Sequence, residues 1–195
     1  MTGEVVLVIV AAGAGRRLGG VAKALLPAEG ETFLAAIAAT AAGGGAGRAV
    51  VVIGPPHGER VAIEARRLGL ELTHNPDPDR GMSSSVAIGF AHALERFGDA
   101  GAALLWPVDH ARVAQVTVAR LAAEAQADRV VIPTWRGRGG HPTAFGRALW
   151  PQLAGCASLP RGARSVLEQH ADHVVRTEVD DPGVRADVDR AADLL

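Results

Sequence analysis

Six consecutive aliphatic residues at positions 5–10, VVLVIV, constrain the fold of this chain more than any other stretch. The run is continuous and rich in β-branched residues instead of alternating with polar ones. It therefore predicts a strand that is buried on both faces, as the strands of parallel sheets are. A glycine-rich segment, AAGAGRRLGG, follows directly. This loop begins at the carboxyl end of a central strand, which is where open α/β sheets bind ligands.

The loop combines glycines with positive charge. Glycine removes side chains where backbone N–H groups would approach a phosphate, and nearby cations would add to the attraction. The residues concerned are Gly13, Gly15, Gly19, Gly20, Arg16, Arg17 and Lys23. These residue types favour an anionic ligand.

The spacing excludes two familiar phosphate motifs. The dinucleotide fingerprint G-x-G-x-x-G needs a third glycine where Leu18 stands, which argues against a nicotinamide-dependent oxidoreductase. The P-loop needs Lys and Ser/Thr where Val21 and Ala22 follow Gly20. Lys23 is the sole lysine among 20 Lys and Arg residues. A compact ammonium can follow a phosphate through a reaction as a planar guanidinium cannot, although chance placement of one surface lysine is the alternative.

Composition limits the remaining possibilities. With 195 residues, of which 48% are hydrophobic, the chain fits a single domain spanning 1–195. The formal charge of −1 predicts no nucleic-acid partner and no membrane association. The lone Cys156 excludes an internal disulfide and a cysteine-based metal cluster. Since no secretory or membrane-spanning stretch is evident either, the sequence predicts a cytoplasmic protein.

Strand-like and helix-like segments alternate along the chain. Further strands are predicted at Ala49–Ile53, Leu70–Thr73, Ala102–Trp106 and Arg129–Pro133, and helices at Phe33–Ala42, Arg60–Leu68 and Val116–Ala127. This alternation predicts an α/β fold with a mostly parallel sheet.

A second informative stretch, NPDPDRGMSSSVAIGF, covers residues 75–90. Its two Asx-Pro pairs force an irregular loop, after which three serines open a helix. Capping needs only one of Ser83, Ser84 and Ser85, so the other hydroxyls are available to a ligand. Plain helix capping is the alternative.

Two later stretches supply further polar groups. AALLWPVDH delivers Asp109 to the carboxyl end of a buried strand, where a carboxylate can hold Mg²⁺ against a triphosphate. An exposed turn aspartate would have the same pattern. In RGRGGHPTAFGR, glycines accompany the donors Arg136, Arg138 and His141. A hairpin with solvated arginines is the alternative there.

These four stretches resemble, in order, the motifs of the MobA-like NTP transferases, nucleotidyltransferases that include molybdenum cofactor cytidylyl- and guanylyltransferases. AAGAGRRLGGVAKALLP is similar to their phosphate loop, GMSSSV to the element that holds the base, PVDH to the metal-binding motif and RGRGGHP to the element that faces the acceptor. The cytidylyltransferase branch is the most similar. The resemblance implies a three-layer α/β/α Rossmann-like fold of the nucleotide-diphospho-sugar transferase (GT-A-like) type.

The resemblance also implies roles for individual positions. Arg17, Lys23 and Asp109 match catalytic residues of the family, and Arg138 and His141 match acceptor-binding residues. Positions that match nucleotide-binding residues are Ala11, Ala12, Gly13, Gly15, Arg16, Gly81, Ser84 and Ser85. The chain departs from the family pattern at Ala22, Ser83 and Ala111.

Mg²⁺ is the cofactor that the resemblance implies, with Asp109 as one ligand. RADVDRAADLL resembles the family's terminal D-x-D-T-P-E-D-L element and offers Asp187 or Asp189 as a second ligand, of which we prefer Asp189. The element's Thr, Pro and Glu are replaced at positions 190–192. Capping of a terminal helix would also explain Asp189.

The activity implied by the resemblance is transfer of CMP from CTP to the phosphate of molybdopterin or molybdenum cofactor, with release of pyrophosphate and a transient contact with a molybdoenzyme. Ala12 favours CTP, because the guanylyl branch has glycine there and a methyl group beside the base would crowd a purine. The alternatives are guanylyl transfer from GTP, a sugar-phosphate or other phosphorylated acceptor, and a non-catalytic cofactor-binding chaperone. Retention of Lys23 and Asp109 argues against the chaperone.

Overall fold

One mixed sheet runs through the protein, which a computed structural model describes at residues 3–28, 30–189 and 193. Its strands are β1 (Val5–Val10), β4 (Ala49–Ile53), β5 (Glu71–His74), β6 (Ala102–Pro107), β7 (Val130–Trp135), β8 (Arg138–Gly139), β9 (Thr143–Gly146) and β10 (Val174–Glu178). A separate two-stranded hairpin consists of β2 (Pro27–Ala28) and β3 (Glu31–Thr32).

The sheet is mostly parallel, with strand order β10-β7-β9-β6-β1-β4-β5 and with β8 paired to β7. The central strand β1 pairs in parallel with both β4 and β6. Antiparallel pairing is confined to β9, which lies between β6 and β7, and to the short β8. The prediction of a mostly parallel α/β sheet is therefore confirmed, whereas β9 and β10 lie outside the predicted strands.

Helices cover both faces of the sheet. They are α1 (Phe33–Gly43), α2 (Gly58–Arg67), α3 (Met82–Arg96), α4 (Gln115–Glu124), α5 (Trp150–Ala154) and α6 (Ala163–Gln169). Side chains of β1 alternate between two cores: Leu7 and Ile9 pack with α1, α2 and α4, whereas Val6 and Val8 pack with α3, α5 and α6. This arrangement confirms the three-layer α/β/α fold and explains why the run of β1 is apolar at every position.

Three irregular segments meet at the carboxyl ends of β1 and β6. They are the glycine-rich loop after β1, the loop before α3 and a segment near the C-terminus at residues 182–189. The Val188 N–H donates to the Asp109 carbonyl oxygen at 3.0 Å, which ties the last of these segments to the end of β6. The predicted terminal helix and the substitutions at positions 190–192 lie outside the described residues. Across the part of the chain that the structure describes, no helix has the length and apolar character needed to cross a membrane.

Candidate active site

The glycine-rich loop folds back on itself at Gly15. Its φ of 61° is in the left-handed region, and a Cβ atom there would lie 1.9 Å from the Val21 carbonyl oxygen. The Gly15 carbonyl oxygen accepts from the Leu18 N–H at 2.9 Å and from the Gly20 N–H at 3.0 Å. Gly15 is therefore required by the close turn of the loop, which turns the following arginines toward the end of the sheet.

A cavity of about 500 Å³ lies between this loop and the end of β6, and we call it the loop cavity. Of the residues predicted for the site, its wall contains Ala11, Gly13, Gly15, Arg16, Arg17, Lys23, Ser85, Asp109, His141, Asp187 and Asp189. The wall does not contain Ala12, Gly81, Ser84 or Arg138. The structure therefore brings most of the predicted residues together around one space.

Lys23 lies at the centre of the charged groups in this cavity. Its Nζ atom is 3.0 Å from Asp109 Oδ2 and 2.5 Å from Asp189 Oδ1. Arg17 Nη1 donates to the other oxygen of Asp189, Oδ2, at 2.6 Å. The side chain of Lys23 is only 16% exposed, so these ion pairs are screened less than pairs on an open surface would be.

The ion pairs shift the pKa values of both partners. Partial burial alone would lower the pKa of Lys23, but the hydrogen bonds and charges of Asp189 and Asp109 together raise it above its usual value. The hydrogen bond from Lys23 is the main reason that the pKa of Asp189 is lowered, and Arg17 adds to that effect. Lys23 is therefore a protonated cation and Asp189 an ionised carboxylate at neutral pH.

Asp181, which the sequence analysis missed, anchors the segment that carries Asp189. Its buried carboxylate accepts from Thr117 Oγ1 at 2.7 Å, from the Ala114 N–H at 2.9 Å and from the Gly183 N–H at 2.9 Å. These bonds hold the segment against the start of α4, so Asp181 positions Asp189 without lining the cavity. A DP pair at Asp181 was the available signal, because an aspartate before a proline often begins a turn.

The serines at the start of α3 differ in their surroundings. Asn75, buried at the end of β5, donates to Ser84 Oγ at 2.9 Å and to Ser85 Oγ at 2.8 Å. Ser84 Oγ in turn donates to the Gly81 carbonyl oxygen at 2.8 Å, so its hydroxyl is used internally. Ser85 lines the loop cavity and its hydroxyl hydrogen is available there. Neither serine caps α3 through its side chain.

Arg16 and Asp79 connect two loops at the mouth of the cavity. Arg16 Nη2 lies 2.8 Å from both carboxylate oxygens of Asp79, and both side chains are mostly exposed. An exposed pair of this kind contributes little to stability. It can therefore open readily when an anion competes for the guanidinium.

Two histidines form the wall opposite the loop. The ring centroids of His110 and His141 are 5.0 Å apart, and the Nδ1 atoms of both rings are buried with no hydrogen-bond partner. Burial lowers the pKa of His110, and burial followed by the neighbouring His110 lowers the pKa of His141 to about 4. Both rings are therefore neutral at pH 7.

A second cavity of about 730 Å³ adjoins the loop cavity, and we call it the arginine cavity. Its wall contains Arg161, Arg164, Arg176 and Arg185. The residues common to the walls of both cavities are Met82, His110, His141 and Asp187. Arg138 is exposed on β8 and lines neither cavity.

The carboxylates of the loop cavity fit a divalent cation that takes its remaining ligands from phosphate. One oxygen of Asp109 and one of Asp189 lie within 3.0 Å of the same ammonium nitrogen, so the two carboxylates can share a cation. Among the described residues, no cluster of three or more His, Cys, Asp or Glu side chains could hold a metal. Mg²⁺ needs no such cluster, because it is usually bound by one or two carboxylates together with substrate phosphates and water.

A glycine-rich loop that faces carboxylates at the carboxyl end of a mostly parallel sheet is the arrangement expected of an α/β protein that binds a phosphorylated ligand together with a cation. The family model described as "MobA-like NTP transferase domain" matches residues 7–174. The chain therefore belongs to the MobA-like NTP transferase family, as its motifs predicted.

Individual relatives are consistent with this membership. The nicotine blue oxidoreductase of Paenarthrobacter nicotinovorans is 32% identical over 189 residues, which cover 93% of this chain and 90% of that protein. A nucleotidyl transferase from Methanothermobacter thermautotroptrophicus has a similar fold, with a TM-score of 0.80 and 23% identity over 97% of this chain and 93% of that one. Rv0371c of Mycobacterium tuberculosis, solved in complex with manganese, has a TM-score of 0.70 and 24% identity over 97% of this chain and 95% of that one.

Proposed function

We propose that this protein, acting as a single domain over residues 1–195, transfers CMP from CTP to the phosphate of molybdopterin or of molybdenum cofactor and releases pyrophosphate. The observation that carries the proposal is the position of Lys23 between Asp109 and Asp189 beneath the glycine-rich loop. The ammonium can bind the phosphates of a nucleoside triphosphate, and the two carboxylates can bind the metal ion that accompanies them. Transfer of the product would involve a transient contact with a molybdoenzyme.

In the proposed reaction, an oxygen of the acceptor phosphate attacks the α-phosphorus in line as the bond to pyrophosphate breaks. Arg17 and Lys23 leave their carboxylate partners and neutralise the charge that develops on the phosphates. The loop backbone and Ser85 orient the nucleotide, and neutral His110 and His141 offer ring nitrogens toward the acceptor. No covalent enzyme intermediate is needed, because positioning and charge neutralisation supply the catalysis.

Asp109 and Asp189 would hold Mg²⁺ in this proposal. Bound there, the ion would act as a Lewis acid on the phosphate oxygens. Rv0371c of M. tuberculosis was solved in complex with manganese, which supports the use of a divalent cation in this proposal. Binding of the ion would displace Lys23 and Arg17 from Asp109 and Asp189, because their donors bind the carboxylate oxygens that a metal ion needs.

The decisive experiment mixes the purified protein with each of the four NTPs, Mg²⁺ and molybdopterin, and measures pyrophosphate. We expect release with CTP that depends on molybdopterin. Release with GTP in preference to CTP would identify a guanylyltransferase, and release only with sugar phosphates would change the acceptor. CTP binding without any pyrophosphate release would favour a cofactor-binding chaperone.

An oxidoreductase is a second candidate, because the relative with 32% identity is named nicotine blue oxidoreductase. The loop of this chain lacks the third glycine of a dinucleotide fingerprint, since Leu18 stands there. Incubation with NADH or NADPH and measurement of absorbance at the nicotinamide band tests this candidate. Enhanced NAD(P)H fluorescence together with substrate-dependent oxidation, and no pyrophosphate release, would replace the transferase proposal.

A further inference from the structure

The arginine cavity contains positive charge that is not neutralised by the protein. Several arginines elsewhere on the surface pair with carboxylates, as Arg48 does with Asp99 at 2.8 Å and Arg120 with Glu124 at 3.1 Å. In the cavity wall, the guanidinium groups of Arg164 and Arg176 have no hydrogen bond or ion pair with any described residue. Their donors are therefore free to bind an anion.

Two further arginines surround this pair. Arg161 is bonded to Glu168, and Arg185 Nη1 donates to the Gly139 carbonyl oxygen at 3.4 Å. Asp187 is the sole carboxylate in the described wall of the arginine cavity. The cavity is therefore positively charged as a whole, although the chain has a formal charge of −1.

Part of the remaining wall is apolar. It is formed by side chains from α3, β6, β7, β9 and the segment near the C-terminus, namely Val86, Leu105, Ile132, Phe145 and Val184. All five are buried in the core. A ligand that fills this cavity therefore needs an apolar or planar body as well as an anionic group.

The shared wall fixes where such a ligand would react. His110, His141 and Asp187 separate the arginine cavity from the cations and carboxylates of the loop cavity. A ligand group at this wall is next to the loop cavity, and Ile132, Arg164 and Arg176 belong to the wall of the arginine cavity alone.

We propose that the acceptor carries two separated anionic groups, a phosphate that reacts at the histidine wall and a second group held by Arg164 and Arg176, joined by an apolar or planar body. This inference rests on the proposed function, because it specifies the acceptor class for that reaction. Arginine suits the second group, since its planar fork of donors binds a carboxylate or a similar oxyanion in two places at once.

Two pairs of synthetic probes test the proposal. The first pair is phenyl phosphate and 4-carboxyphenyl phosphate, and the second is the corresponding biphenyl pair with a carboxylate on the far ring. Dissociation constants are measured by calorimetry with Mg²⁺ and saturating α,β-methylene-CTP, and again without nucleotide. We expect the carboxylated member of at least one pair to bind about 10-fold to 100-fold more tightly.

Matched variants assign the effect to the cavity. Arg164→Gln/Arg176→Gln should bind both members of each pair equally, whereas Arg60→Gln, an exposed arginine on α2, should retain the advantage of the carboxylate. Thermal melting confirms that the variants fold. Equal binding within both pairs by the unmodified protein, or an advantage that survives in the double variant, would overturn the proposal.

Measurements of probe binding and of turnover distinguish failure of the proposed function from failure of the two-anion acceptor. A carboxylate advantage without any pyrophosphate release from CTP and molybdopterin would remove the proposed function and leave an anion-binding cavity. Pyrophosphate release without a carboxylate advantage would retain the function and remove the two-anion acceptor.

Discussion

The two cavities hold their cations in different ways. In the loop cavity, Lys23 and Arg17 are already bonded to Asp109 and Asp189, so an incoming phosphate must take over their donors. In the arginine cavity, Arg164 and Arg176 have no carboxylate partner among the described residues. A side-chain cation in an ion pair is held in position, but it must leave its carboxylate before it binds a phosphate. An unpaired arginine has to lose only water before it binds an anion. The first arrangement suits groups that act during a reaction and the second suits simple recognition.

The strongest way to break this comparison is Asp109→Asn, which removes one carboxylate from the paired side. We expect the turnover rate to fall about 100-fold or more, because a principal charge-stabilising group is lost. Pyrophosphate release with CTP measures it, and Asp172→Asn, at an exposed position in a 3₁₀ helix, is the control. The advantage of the carboxylated probes over the plain phosphates should not change. A nearly normal rate would remove Asp109 from the catalytic site, and a changed carboxylate advantage would mean that the cavities are not independent.

A pH experiment sharpens the comparison at the shared wall. The pKa of His141 is about 4 in the folded protein and about 6.5 when the side chain is exposed, so below pH 6.5 the unfolded chain binds the proton more readily. The free energy of unfolding should therefore fall by about 2 to 3 kcal/mol as the pH falls from about 6.5 to about 4, with no change from this group above that range.

Urea unfolding across that pH range measures the loss. His141→Gln should have a shallower dependence on pH, although the lowered pKa of His110 will leave part of it. His74→Gln, an exposed position on β5, is the control. An unchanged dependence in His141→Gln would show that His141 is not held neutral by burial.

Lys23→Arg tests whether exchange of partners requires an ammonium. The charge is retained, but a guanidinium is a planar fork of donors with different hydration. It must also fit between the two carboxylate oxygens that bind the ammonium in the unmodified protein. We expect about a tenfold fall in kcat with a smaller change in the KM for CTP. A rise in KM alone would mean that Lys23 contributes to binding of the nucleotide in the ground state.

The smallest effect is expected from Ala12→Gly. Sequence comparison predicted that its methyl group lies beside the base, but the structure buries the methyl group next to Gly54, outside the described wall of the loop cavity. We therefore expect a loss of stability of about 1 kcal/mol and less than a tenfold change in the CTP to GTP ratio of kcat/KM. A larger change in that ratio would place the methyl group near the base after all.

The sequence predicted the central features of the fold because they are local. The apolar run at residues 5–10 and the alternation of strands and helices follow from burial and periodicity. The strand β9 was missed because its four residues follow a stretch rich in glycine and proline, and its antiparallel pairing with β6 and β7 is a property of the whole sheet. A pattern that is read along the chain does not contain that information.

The candidate site also contains residues that local sequence could predict and residues that depend on the folded structure. Arg17 and Lys23 lie in the loop that follows β1, and Asp109 follows β6, so their meeting is favoured by the topology of a parallel sheet. The contact of Asp189 with Lys23 could not be derived locally, because it depends on Asp181 and on the backbone bond of Val188. Asn75 was missed because its role is to orient two serines, which only the packed structure reveals.

The single lysine has a practical consequence for chemical modification. Amine-reactive reagents acylate unprotonated amines, and Lys23 is both mostly buried and held protonated by two carboxylates. Its side chain should therefore react slowly until its ion pairs open. Because Lys23 is the sole lysine of the chain, the mass increase of one internal tryptic peptide measures how far its ion pairs have opened. Ligand entry into the loop cavity can therefore be followed by labelling at a single residue.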